Sequence, residues 1–221
     1  MVVVLFRREL DLLKRSPLHL ASAEGHCEIV KTLVEVNKDM CLVGDEDWKI
    51  PLHYAAMRGR IEVIEMLISA EPNSIQEKLS EGETVLHLGV QYNQLEALNV
   101  LVETVVDNDN SEFLSSKDQR CGNTILHLAV MLKQLEIIKF LLSIPGVKAG
   151  AAEMENQSRL TAIDMVGHLP KDLKSLEVQN ILQDIESVHV GGGLLQRRQN
   201  HQQQQEVVVV DDEAITSQQA V

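Results

Sequence analysis

Aromatic residues are scarce in this chain: one Trp, two Tyr and three Phe, 3% of the residues, against 44% hydrophobic overall. A core must therefore come from Leu, Ile, Val and Ala, which suits thin stacked layers better than one thick interior. Basic residues are also in short supply. Twenty Lys and Arg face 33 Asp and Glu, a formal net charge of −13, whereas a phosphate-binding surface needs clustered Lys and Arg. The expectation is no nucleic acid, and an acidic surface that repels anionic membranes. Cysteine is limited to Cys27, Cys41 and Cys121. None is paired as C-x-x-C, and an odd, scattered set fits a reducing compartment rather than a disulfide framework. No apolar run approaches the ~18 residues of a membrane-spanning helix. "MVVVLF" at the start is too short for a signal peptide and has no small-residue cleavage site after it. Motifs of the G-x-S-x-G, H-E-x-x-H and glycine-rich phosphate-loop kinds are missing. Asn156-Gln157-Ser158 matches a glycosylation sequon, read as chance without a secretory signal. The expected protein is cytoplasmic and monomeric, not an enzyme, with no cofactor and no metal.

What the sequence does have is a repeat. "SPLHLASAEGH" at 16–26 returns as "IPLHYAAMRGR" at 50–60, "TVLHLGVQYNQ" at 84–94 and "TILHLAVMLKQ" at 124–134, with a weaker copy, "TAIDMVGH", at 161–168. The anchors Pro17, Pro51, Val85, Ile125 and Ala162 are 34, 34, 40 and 37 residues apart. A period near 33 with a T-P-L-H-x-A core is the ankyrin signature. A second segment follows each copy ("CEIVKTLVEV", "IEVIEMLISA", "LEALNVLVETVV", "LEIIKFLLSI"), with apolar residues at helical spacing. Each unit therefore reads as an inner helix, an outer helix and a loop, and the whole as an all-α solenoid of about five repeats. One helix pair cannot bury its own apolar face, but a stack can.

Local chemistry agrees. Ser16, Thr84, Thr124 and Thr161 stand where a cap hydroxyl can accept a backbone N–H. Pro17 and Pro51 follow the cap, where a missing N–H is harmless. Ala21, Ala55, Ala56, Gly89 and Ala129 are small enough for inner helices to approach closely. Gly25 and Gly59 turn the chain out of the inner helix. The histidines His19, His53, His87 and His127 occupy one site in successive repeats. Neighbouring helices lie ~8–10 Å apart and zinc needs its ligands within ~2.1 Å, so these rings cannot share an ion. They read as structural, each bonding its own cap and nearby backbone and stitching repeats together.

The pattern breaks in places. Gly82 and Gly122 sit two residues before the cap position, but Lys14, Trp48 and Arg159 hold that place elsewhere. Trp has poor access to positive φ, so the 45–49 loop either takes another turn or stores strain. Ile50 replaces a capping Thr, and Asp164 replaces the histidine of the last unit. His168, four residues after Asp164, has the spacing of a helical ion pair. The expected division is a remnant of a truncated repeat at 1–15, an ankyrin domain at 16–189 (repeats about 16–47, 48–81, 82–121, 122–158 and 159–189), and a low-complexity, disordered tail at 190–221. The first full repeat is expected to expose an apolar face, and 171–186 to form a closing helix.

The wording of "SPLHLASAEGHCEIVKTLVEVNKDMCL", "IPLHYAAMRGRIEVIEML", "TILHLAVMLKQLEIIKFLLSIPGVKAGAAE" and "PKDLKSLEVQNILQDI" resembles plant ankyrin-repeat proteins, notably the BDA1-like group of the ankyrin/PGG membrane family. The resemblance implies cytosolic repeats that bind proteins in defence and immune signalling, ahead of a C-terminal transmembrane bundle. This sequence has neither such a bundle nor a PGG motif and reads as a truncated or divergent member. The family brings no catalytic residues with it. If the full-length protein carries the bundle, the repeats would lie at the cytosolic face of a membrane.

Ankyrin stacks bind through loop tips and the concave face of the inner helices, here at the positions just before each turn. The candidate partner-binding residues are Glu24, Met57, Arg58, Gln91, Tyr92, Met131 and Leu132 at helix ends, with Trp48 and Lys49 at a tip. Trp, Tyr and Arg are enriched at interface hot spots. The bland readings are that Trp48 covers the next loop and that the Met and Leu residues pack between repeats. Cys41 and Cys121, near loop tips, are considered for redox sensitivity, though no sequence feature lowers a thiol pKa there. The leading function is a non-catalytic protein-binding adaptor in signalling. A nuclear coregulator, suggested by the Gln-rich acidic tail, and a fragment without stable function are the alternatives.

Overall fold

A computed structural model of the chain describes residues 10–107 and 110–189. The start at 1–9 and the tail at 190–221, expected to be disordered, lie outside the described residues. Close contacts divide the chain into 1–179 and 180–221. Of the second unit only the end of one helix is described.

Four helix pairs follow one another. The inner helices are α1 (Pro17–Glu24), α3 (Pro51–Met57), α5 (Val85–Gln91) and α7 (Ile125–Met131). The outer helices are α2 (Cys27–Val36), α4 (Ile61–Ala70), α6 (Leu95–Asp107) and α8 (Leu135–Ser143). A short α9 (Pro145–Gly150) and a longer α10 (Leu173–His189) complete the α-helices among the described residues. Each inner helix packs on the next, α1 on α3 on α5 on α7, and α2 packs on α4 and α4 on α6. The small residues do what their size allows: Ala55, Ala56 and Ala129 are fully enclosed, and a Cβ placed on Gly89 would touch Leu98 at 3.4 Å.

The core is a set of rows, one residue per repeat. Leu52, Leu86 and Leu126 come from the inner helices and Leu67, Leu101 and Leu141 from the outer ones, all buried. The row Ile29, Val63, Ala97, Ile137 shows what stacking contributes. Its last three members are each 1% exposed, while Ile29, in the first repeat, is 51% exposed. Leu20 of the same repeat is exposed, as are Leu12 and Leu13 just ahead of it.

The fifth unit differs from an α-helical pair. Its inner element is a single 3₁₀ stretch, Asp164–His168. Gly167 is a poor helix former, and Pro170 biases Leu169 away from the α region. The expected Asp164–His168 link does not form, because the Asp164 carboxylate accepts from the backbone N–H (3.0 Å) and hydroxyl (2.7 Å) of Thr161. The closing helix is then started by Asp172, which accepts from the Ser175 N–H at 2.8 Å.

Candidate functional site

The histidine site is built the same way four times. His19 Nδ1 accepts from the Ser16 N–H (3.0 Å) and faces its hydroxyl at 2.8 Å. His87 and His127 do the same with Thr84 and Thr124. His53 meets only the Ile50 N–H, at 3.1 Å, since Ile50 has no hydroxyl. A backbone N–H can only donate, so Nδ1 must be unprotonated and Nε2 must carry the hydrogen. Nε2 then donates to a carbonyl of the following loop: Lys49 for His19 (2.9 Å), Glu77 for His53 (3.4 Å), Asn123 for His87 (3.2 Å) and Leu160 for His127 (3.1 Å). Every ring is therefore neutral and committed at both nitrogens. Burial pushes all four pKa values down, that of His53 to about 4. The hydroxyls act differently from the simple cap expected. At Ser16 and Thr124 their partner is the imidazole, and only Thr84 and Thr161 also accept a backbone N–H, at 3.5 and 3.1 Å.

The loop tips share a device visible in the sequence but unread there. Asp11, Asp45, Asp118 and Asn156 hold equivalent places, and each carboxylate or amide oxygen accepts backbone N–H groups across its own turn. Asp45 Oδ1 takes those of Asp47 and Lys49, both at 2.9 Å. Asn156 Oδ1 takes those of Ser158 and Leu160, and its amide nitrogen donates to Asn123, so the sequon residue is a turn-former. Leu79 occupies this place in the third loop and relies on backbone bonds alone, to Glu83 and Gly82. Tips also bond to one another: Glu46 N–H to the Leu13 carbonyl, Gln119 to Glu81, Gln157 to Cys121. Among the described residues the matching bond from Ser80 to Asp47 is absent.

These turns require a left-handed residue two before the cap. Lys14 (φ 59°), Trp48 (64°), Gly82 (74°), Gly122 (69°) and Arg159 (58°) all supply it. The turn at 45–49 is thus the ordinary one, and Trp48 bears the strain of a bulky residue in it, roughly 1–2 kcal/mol. Asp45, buried, holds the turn shut and also accepts from the Tyr54 hydroxyl at 2.6 Å. Burial, and that bond next, raise the Tyr54 pKa to about 12.

Trp48 is largely exposed, at 68%. Lys49 beside it is half-buried and paired with Asp47 at 2.7 Å. Of the helix-end candidates, Glu24, Arg58 and Gln91 are exposed, and Tyr92, Met131 and Leu132 are 43–44% exposed, while Met57 is half-buried. Met131 leans back on its own loop, its sulfur 3.8 Å from the Asn123 amide nitrogen. Because the inner helices stack in order, these residues form one row.

Two of the three thiols are held protonated. Cys41 is buried and its pKa is pushed up to about 11 by burial. Cys27 donates to Glu62 at 3.2 Å, which raises its pKa too. Among the described residues no three His, Cys, Asp or Glu side chains converge on a point that could hold a metal, and no described helix is long and apolar enough to cross a membrane.

The family model described as ankyrin repeats matches the chain three times, over residues 2–76, 18–112 and 52–152. A search of curated proteins finds no match. With stacked helix pairs, left-handed tip turns and a histidine in each of the first four repeats, and with those matches spanning 2–152, the chain belongs to the ankyrin-repeat family, a scaffold for protein–protein interaction that is typically non-catalytic.

Proposed function

We propose that this chain is a non-catalytic adaptor that holds a protein partner on the row Glu24, Met57, Arg58, Gln91, Tyr92, Met131 and Leu132, with Trp48 and Lys49 as the anchor at the tips. The observation that supports it most is the exposure of Tyr92, Met131 and Leu132 at the ends of two adjacent inner helices, together with an exposed Trp48 whose backbone is strained. A residue kept in a costly conformation while contributing no burial points to use elsewhere. Flexible Met beside rigid aromatics gives a surface that adapts to a partner while keeping firm anchors.

The units of this reading are repeats at about 16–47, 48–81, 82–121, 122–158 and 159–189. The resemblance to the BDA1-like group of plant proteins supports a role in defence signalling, in the cytoplasm or at the cytosolic face of a membrane. Affinity capture from the native tissue tests the proposal. Wild type is compared with Trp48→Ser and with Tyr92→Ala/Leu132→Ala, each checked for folding by circular dichroism. The expected result is a specific protein retained by wild type and lost by both folded variants. A partner retained equally by all three would remove this surface from the account.

A further inference from the structure

The outer side of the stack has a surface of a different kind. Across the start of α4, α6 and α8 lies an open groove of about 590 Å³, floored by Ile61, Leu95, Asn99, Val100 and Phe140. The floor residues are half-buried, so the groove is apolar yet reachable. It exists because α6 and α8 approach each other less closely than α2 and α4, or α4 and α6. The third unit carries the longest interval, 40 residues, and the longest outer helix, 13 residues.

Its rim is acidic. Glu96 stands on one side and Glu136, bonded to Lys139 at 2.8 Å, on the other. The imbalance is general to this side: α2, α4, α6 and α8 together carry eight Asp or Glu against two Lys, all exposed. The inner helices carry a single charge, that of Glu24. A mostly apolar floor, with Asn99 its one polar residue and that one donating to Glu103 at 3.1 Å, on a side with eight acidic residues to two Lys disfavours the phosphates of nucleic acid and anionic lipid. From Leu95 to Val100 the floor runs about 8 Å along α6 at 1.5 Å per residue, enough for two side chains one helical turn apart.

We propose that this groove is a second docking site, taking a basic amphipathic helix from a protein partner, its Leu-type residues on Val100 and Phe140 and its Lys or Arg against Glu96 and Glu136. Such helices present anchors at i, i+3, i+4 and i+7. The site is independent of the inner-helix row, so a partner on one face leaves the other free.

Fluorescence anisotropy with the full chain tests this. The probe is a labelled synthetic peptide of Leu and Lys with Leu at that spacing, set against the same peptide with Glu for Lys. Saturable one-to-one binding of the Lys peptide alone is expected. Glu96→Lys, on the exposed rim, and Val100→Asn, in the floor, should each weaken it about tenfold or more. Tyr92→Ala/Leu132→Ala should leave it unchanged, which separates this site from the inner row. Equal binding by wild type and Glu96→Lys would mean general attraction to an acidic chain and would overturn the proposal, as would no binding. Sedimentation showing a wild-type dimer that Glu96→Lys dissolves would overturn it as well, by assigning the groove to a second copy.

Discussion

His19 Nε2 lies 2.9 Å from the carbonyl oxygen of Lys49, thirty residues further along the chain. Its Nδ1 meanwhile serves the start of its own helix, so one ring joins the cap of one repeat to the loop of the next. Four repeats use the same link. Asp164, which takes that place in the fifth, repeats only the near half, because a carboxylate has no N–H to send onward.

Removing a ring should therefore uncouple neighbours. His87→Ala leaves the buried Thr84 N–H without its partner and takes from the Asn123 carbonyl one of its two donors, the Asp118 N–H remaining at 2.9 Å, for an expected loss of about 1–3 kcal/mol. His127→Asn keeps an acceptor for the near half and should lose less than His127→Ala. Urea unfolding monitored by circular dichroism measures both.

The same rings make stability depend on pH. Each folded pKa is below its unfolded value of about 6.5, so in between the unfolded chain binds more protons and stability falls as pH falls. For His53, folded pKa about 4, the loss runs from about pH 6.5 down to about 4 and reaches roughly 3 kcal/mol. Glu83 acts in the opposite sense, its pKa raised by burial and then by Glu81 and Asp118, and offsets part of the loss at the acid end. Urea midpoints across this range should fall with pH for wild type, and less steeply for His53→Gln.

The left-handed tip positions divide the other way. Trp48→Gly removes strain at φ 64° and should raise stability by about 0.5–1 kcal/mol, while abolishing partner capture if Trp48 is the anchor. Gly82→Ala should be destabilising by about 1–2 kcal/mol. Its φ is 74°, and a Cβ there would stand 2.7 Å from Gln119 Cγ. Thermal melts of the two variants should move in opposite directions.

Position in the stack should decide the value of one row. Ile29→Thr, at an exposed site, is expected to change stability by no more than about 0.5 kcal/mol. Ile137→Thr, at the equivalent enclosed site, should lose about 2–4 kcal/mol. Similar losses at both would show that the face around Ile29 is covered in solution.

Much of this was legible because it is local and repeated. A histidine recurring in one register declares its role by its neighbours, and Lys14, Trp48 and Arg159 marked the turn by standing where Gly82 and Gly122 stand. The turn-forming Asp11, Asp45, Asp118 and Asn156 were equally repetitive, but the insertion before Thr124 and the Leu at 79 broke the register. Asn93 and Lys133 take the left-handed place of Gly25 and Gly59, which only backbone geometry reveals. The exposure of Trp48 and the groove under Val100 and Phe140 depend on how far neighbouring repeats stand apart, a distance no single repeat encodes.

Hydrogen exchange of the full chain, with and without the partner captured by wild type, tests the adaptor account most directly. The account predicts slowed exchange around Trp48, at 57–58, 91–92 and 131–132 on binding. Slowing confined to the outer helices, with the inner-helix ends unchanged, would contradict it.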